Sequence, residues 1–284
     1  MERFFITGCN GQLGRALNQL LKDREDIVVY NTEYDKVEHT LDITDGEEVL
    51  RQVKEFQPTV IFNCAAYTAV DACEEEEDEA FLVNAQGPAN LAQAARETGA
   101  KLVHISTDYV YRGDADRPYV ETDETAPQSA YGRTKLAGEK KIQEICPQAY
   151  IIRTAWLYGE GKNFVQTMLR LAEERDVLTV VNDQYGTPTS ALELARAILY
   201  ILEKGEYGIY HATCEGSTTW YAFAKKIFEK KGISITVKPV TSEEYKAAAK
   251  RPAYSVLENQ KLNHLGTYRM KDWESALEEY LNSL

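Results

Sequence analysis

"FFITGCNGQLGRAL", residues 4 to 17, runs from a short apolar stretch through three glycines, Gly8, Gly11 and Gly14, into a segment with helical periodicity. The order strand, glycine turn, helix opens a βαβ unit, and the glycines have separate work in it. The turn needs a positive φ, the backbone must approach a pyrophosphate, and the helix must sit close to the strand. Free N–H groups at the helix start then attract an anion. The spacing is G-x-x-G-x-x-G rather than G-x-G-x-x-G, but it falls at the first strand-to-helix turn, where a dinucleotide fingerprint belongs.

Further short β-branched runs follow in "IVVY" (27–30), "TVIFNCA" (59–65), "KLVHIST" (101–107) and "AYIIRTA" (149–155), separated by helix-like segments such as 11–23 and 44–56. That rhythm predicts a Rossmann-type α/β fold, a doubly wound parallel sheet. Thr44 and Glu47 have the spacing of a capping box for the second helix. From about residue 156 the pattern loosens, with a helix expected at 163–175, a strand near 178–181 and the turn-rich "NDQYGTPTS" at 182–190. A strand at 208–213 and helices near 218–231 and 272–283 complete the chain. The expected division is a dinucleotide-binding domain at 1–155 with an added segment near 186–212. A smaller, interleaved α/β substrate lobe takes 156–185 and 213–284. The acidic run "EEEEDE" (74–79) reads as the solvated face of a helix.

The chain has 284 residues, enough for a full core, and a formal charge of −13 from 32 basic and 45 acidic residues. That balance argues against nucleic acid or a basic membrane-facing surface, so a phosphate ligand must be held by local geometry. Cys9, Cys64, Cys73, Cys146 and Cys214 are scattered, without metal or disulfide spacing, and fit a reducing cytosol. No signal-peptide pattern opens the sequence and no segment has the apolar length of a membrane span, so a soluble, cytoplasmic protein is expected.

"YGRTK" (131–135) puts Tyr131 and Lys135 on one helix face, i and i+4. A cation there is expected to lower the phenol's pKa from about 10, readying it to pass a proton to a carbonyl oxygen as hydride reaches the carbon. The strand end "HISTDYV" opens onto the crevice where such folds bind ligands, and Ser106 or Thr107 could donate to the same oxygen. After the second strand, Glu33, with Asp35 second, is placed to bond ribose hydroxyls and to favour NADH, while nearby Arg15 and Lys36 leave NADPH open. Asp42 suits the adenine amino group, or is a plain loop carboxylate.

GxxGxxG, a strand ending in Ser-Thr, then Tyr-x-x-x-Lys resembles the extended short-chain dehydrogenase/reductases. "NCAAYTAVDACE", "ISTDYVY", "YGRTKLAGE", "RTAWLYG", "NDQYGTPT" and "RPAYSVL", in that order over essentially the whole chain, are similar to the dTDP-4-dehydrorhamnose reductase family among them. The resemblance implies NAD(P)H-dependent reduction of the C4 ketone of dTDP-4-dehydro-L-rhamnose, the last step of dTDP-L-rhamnose synthesis. It implies that Thr107 polarises the ketone, Tyr131 donates the proton and Lys135 holds the nicotinamide ribose. Gly8, Gly11, Gln12, Leu13 and Gly14 would line the pyrophosphate loop, Asp42 and Ile43 would meet the adenine, and Ala65, Ala66 and Tyr67 would pass along the cofactor. Val70, Asp71, Asp108, Tyr109 and Val110 would surround the sugar, and Trp156 would stack on the thymine, as a flat apolar ring can. Arg251 is placed to reach the sugar or diphosphate, or to pair with a carboxylate.

Some members of that family hold Mg2+ between subunits through glutamates. Glu193 does not fall cleanly on that position, so no catalytic metal is predicted and a structural ion is left open. His39, His104, His211 and His264 have no ligand spacing. A monomer or homodimer is expected. Two rivals stand beside the reductase: a non-catalytic dinucleotide-binding regulatory subunit like the β subunit of methionine adenosyltransferase, and an enzyme acting on another nucleotide sugar. An epimerase would need a further acid/base residue that the sequence does not supply.

Overall fold

A computed structural model describes residues 1–35 and 37–284; Lys36 lies outside the described residues. The first half alternates between strand and helix: β1 (Glu2–Thr7), α1 (Gln12–Leu21), β2 (Ile27–Thr32), α2 (Gly46–Phe56), β3 (Val60–Asn63), α3 (Glu77–Phe81), α4 (Gly87–Thr98), β4 (Lys101–Thr107), α5 (Ala130–Ile145) and β5 (Ala149–Thr154). The second half is more broken, with β6 (Leu157–Tyr158), α6 (Phe164–Glu174), β7 (Val177–Val181), β8 (Tyr185–Gly186), β9 (Thr189–Ser190), α7 (Ala191–Lys204) and β10 (Gly208–His211). After these come β11 (Thr218–Thr219), α8 (Trp220–Lys231), β12 (Thr236–Val240), α9 (Ser242–Tyr245), α10 (Gln260–His264) and α11 (Trp273–Asn282).

The central sheet has six strands, all parallel, in the order β10-β5-β4-β3-β1-β2. The chain steps outward from β1 to β2 and returns to the far side of β1 for β3, so the switch point lies between β1 and β3. A ligand crevice opens there, beyond the carboxyl ends of the strands. Alternation along each strand loads both faces of the sheet. Phe4 and Ile6 pack with Leu13, Leu17, Leu194 and Ile198 from α1 and α7. Phe5 packs on the other side with Val49, Val53, Leu91 and Ile142 from α2, α4 and α5. A separate cluster of Tyr158, Val165, Phe223, Ile227, Trp273 and Leu277 holds α6, α8 and α11 together. Beside it, β7 and β12 pair in parallel.

Two local expectations are corrected. The N-cap of α2 is Asp45, whose carboxylate accepts from the Glu47 and Glu48 N–H groups; Thr44 instead donates its N–H and hydroxyl to Asp42, both at 2.8 Å. The acidic run is not one solvated helix face, because it spans a 3-10 turn (Ala72–Glu74) and the start of α3. Three of its carboxylates are engaged: Glu74 with the Ala130 N–H, Glu76 with the Tyr67 hydroxyl and Glu77 with Arg133. The run therefore braces the first turn of α5.

Candidate active site

The glycine turn is built as the sequence demands. Gly8 has φ +65°, and a Cβ on it would lie 2.7 Å from the Ala65 nitrogen, so this turn and the loop after β3 touch backbone to backbone. Gly14 does not reach the crevice. A Cβ there would sit 2.4 Å from the Gly8 carbonyl oxygen, which makes it the contact that lets α1 pack under the turn. The N-terminus of α1 carries no side-chain cap, which leaves its N–H groups for an anion.

Beyond the strand ends lies a cavity of about 970 Å³, at the upper end of the ~300–1,000 Å³ typical of ligand pockets. Gly8, Gly11, Gln12 and Leu13 line it from the turn, Glu33, Asp42 and Ile43 from the loops after β2, and Ala65, Ala66 and Val70 from the loop after β3. Thr107, Asp108 and Tyr109 come from the end of β4, Tyr131 and Lys135 from α5, and Trp156 from beyond β5. The buried Gln12 Oε1 has no protein partner. A Gly8 cradle that no side chain could share, an uncapped helix start and a long crevice fit a dinucleotide.

Glu33 accepts from the N–H of Asn10 at 3.1 Å and of Tyr34 at 3.0 Å, which seats its carboxylate beside the glycine turn. Arg15 pairs with Glu160 and donates to the Asn10 carbonyl.

Four other expected residues do not line this cavity. Val110 is fully buried in a cluster with Tyr111, Tyr119, Leu136 and Leu257. Tyr67 turns to Glu76, and its backbone is clamped by Asn84 at 2.9 and 3.1 Å. Asp71 and Arg251 satisfy each other: Nη2 to Oδ2 at 2.7 Å and Nη1 to Oδ1 at 3.0 Å. That pair joins the loop after β3 to the segment after α9 and holds the Asp71 carboxyl below its usual range.

The Ser106 or Thr107 choice is decided by partners. Ser106 donates to Glu139 at 2.5 Å, whereas Thr107 Oγ1 donates to Asp108 at 2.9 Å and is also a partner of Tyr131. Thr107 is thus the hydroxyl beside the phenol. The expected lowering of the Tyr131 pKa is reversed. Burial is the main cause, the nearby Asp108 charge adds to it, and both raise it. Lys135 is not aimed at the phenol, because its Nζ donates to the Ile105 carbonyl at 2.6 Å. Burial brings that ammonium down to about 8, and burial lifts Asp108 to about 6.

Some site neighbours carried no signal in the sequence. Asn84 sits on a π-turn, Leu82–Gln86, between α3 and α4, a distortion common at functional sites. It ties the Tyr67 backbone to Thr134 of α5. Trp220 stacks on Trp156 at 3.6 Å with planes 10° apart. Glu193 is buried and faces Arg196 and Lys271, which share Glu279. Among the described residues no group of three or more His, Cys, Asp or Glu is placed to hold a metal, and no helix is long and apolar enough to cross a membrane.

The switch-point crevice and the Thr-Tyr-Lys cluster define an oxidoreductase of the short-chain dehydrogenase/reductase class. The model of the RmlD substrate binding domain family matches residues 2–284. The chain is 43% identical to the dTDP-4-dehydrorhamnose reductase of Streptomyces griseus, over 99% of this chain and 94% of that one. A solved dTDP-4-dehydrorhamnose reductase from Clostridium acetobutylicum superposes with a TM-score of 0.95 at 48% identity, covering 99% of both chains. Another from Bacillus anthracis, in complex with NADP, gives 0.96 at 43%, over 100% of this chain and 99% of that one. The chain belongs to the dTDP-4-dehydrorhamnose reductase family.

Proposed function

We propose that this protein reduces the C4 ketone of dTDP-4-dehydro-L-rhamnose to give dTDP-L-rhamnose. The observation that carries the reading is the meeting of Thr107, Tyr131 and Lys135 in one crevice that also contains Trp156. The reduced nicotinamide, when bound, supplies the hydride. Tyr131 gives its proton to the carbonyl oxygen, and its raised pKa keeps it protonated through the neutral range. With the ketone in place, the Thr107 hydroxyl turns its one proton from Asp108 to that oxygen, and two donors on a developing oxyanion lower the barrier. Lys135 holds the nicotinamide ribose.

In this reading the turn at Gly8, Gly11, Gln12 and Leu13 takes the pyrophosphate, and Asp42 and Ile43 take the adenine. Ala65 and Ala66 flank the cofactor. Val70, Asp108 and Tyr109 surround the sugar, and Trp156 meets the thymine. Residues 1–155 with about 186–212 form the nucleotide lobe, and 156–185 with 213–284 form the substrate lobe. Glu33 at the ribose, with Arg15 engaged by Glu160, favours NADH modestly over NADPH.

The test is loss of absorbance at 340 nm with the keto sugar and NADH or, in parallel, NADPH. Tyr131→Phe is expected to slow turnover roughly 10²–10⁴-fold while cofactor binding stays intact. An unchanged kcat in that variant removes the proton-donor role.

A further inference from the structure

Between α5 and strands β4 and β5 lies a polar cluster outside the proton-donating machinery. Glu139 on α5 and Arg153 on β5 have side chains only 1% and 3% exposed. Their pair is bidentate, Nε to Oε1 at 2.9 Å and Nη2 to Oε2 at 2.6 Å. Ser106 donates to the same Oε1 at 2.5 Å and is the register partner of Arg153 across the parallel β4 and β5. Arg153 Nη1 donates to the Tyr111 hydroxyl at 2.7 Å, and that hydroxyl lies 2.6 Å from His211 Nε2.

Tyr131, Lys135 and Glu139 are spaced i, i+4, i+8 and so share one face of α5. Lys135 Nζ is held by the carbonyl of Ile105 at 2.6 Å, the residue before Ser106. Glu139 therefore fixes Ser106, with the receiver of Lys135 on one side of it and Thr107 on the other. We propose that Glu139 is the positioning residue of this site: locked by Arg153, it sets the Ile105–Thr107 backbone and supplies the negative charge that the buried Lys135 ammonium faces.

The neighbours of Lys135 leave that charge to Glu139. On α5 these are Tyr131 and Glu139, after β3 Cys64, on β4 His104, and on β5, behind Glu139, Arg153. Burial raises the Cys64 thiol to about 12, so it is neutral, and burial with Lys135 pushes His104 well below its ordinary value, so it is neutral as well. Asp108, beyond Thr107, acts on Tyr131. Burial works against the ammonium, and Glu139 is the foremost group that opposes it.

What the charge does in turnover rests on the reductase reading; the coupling itself does not. The decisive measurement is the titration of Lys135 in ligand-free, [ε-13C]lysine-labelled protein, its resonance assigned by its loss in Lys135→Met. Glu139→Gln keeps hydrogen-bonding capacity and removes the charge. It should lower the Lys135 midpoint by about one unit or more, and the basic limb of kcat/KM should fall with it. Because Arg153 is then left without its counter-charge, which weakens the fold, Glu139→Gln/Arg153→Gln is measured alongside, and its midpoint should also lie below wild type. A double variant with the wild-type midpoint and limb, beside a single variant that is merely unstable, would reduce Glu139 to a structural ion pair and overturn the proposal. If the midpoint moves while wild-type protein oxidises neither cofactor with the keto sugar, the coupling stands and the reductase reading falls.

Discussion

Trp156 has φ +47°. Among the described residues, the other non-glycine residues in the left-handed region are Gln57 and Lys246, and both are helix C-caps, where that conformation closes a helix. Trp156 ends no helix, so strain of about 1–3 kcal/mol is held where the indole enters the crevice. One face of the ring is covered by Trp220, and Gly186 lies so close that a Cβ there would be 2.4 Å from Cε2. The indole is thereby fixed before any ligand arrives. If it is the surface for the base, Trp156→Ala removes stacking of roughly 1–3 kcal/mol, or about 5- to 150-fold. KM for the thymidine-linked sugar should rise by that factor while KM for the cofactor stays put. An unchanged sugar KM would take the base away from Trp156.

At the scale of elements, α2 separates two neighbouring candidates for one role. Asp45 caps the helix and Thr44 does not, so Asp45→Ala should cost about 1 kcal/mol of stability and Thr44→Ala less, read as a shift of the urea midpoint. A larger loss at Thr44→Ala than at Asp45→Ala would return the cap to Thr44. The same pair shows what could be read from sequence. Strands, helices and the glycine turn were legible because each is decided by its own few residues, through alternation, helical period and a required positive φ. The cap was not, because Thr44 and Asp45 are both good N-caps and only the Asp42 hydrogen bonds decide between them. In the site, Tyr131 and Lys135 were legible from spacing, whereas spacing left Ser106 and Thr107 as alternatives and only the family resemblance favoured Thr107. The partners that decide what side chains do were not legible. Asp71 meets Arg251, Trp156 meets Trp220 and Ser106 meets Glu139 across long stretches of chain, and the Tyr131 pKa follows burial that no spacing of residues reports.

For the whole molecule, the cost of the site is written in its pH dependence. Most of the shifted carboxylates, among them Asp71, Glu77, Asp123 and Asp272, are held low by hydrogen-bonding partners. Such groups stabilise the fold above their unfolded pKa values and lose that contribution as the pH falls. Asp108 runs the other way. Burial raises it from 3.8 to about 6, so the folded state binds its proton more tightly than the unfolded chain does, and raising the pH from about 4 to 6 weakens the fold at this group. At about 1.4 kcal/mol per unit, the ionised carboxylate costs on the order of 3 kcal/mol near neutrality. Asp108→Asn keeps an acceptor for Thr107 and removes the charge. Its stability relative to wild type in urea unfolding should therefore be near zero at pH 4, rise through pH 5 and level off above 6. A difference that stayed flat over that range would mean that Asp108 ionises as an ordinary carboxylate. A rising one, with lower turnover in the same variant, would show a charge retained beside Tyr131 for its chemistry against the interest of the fold.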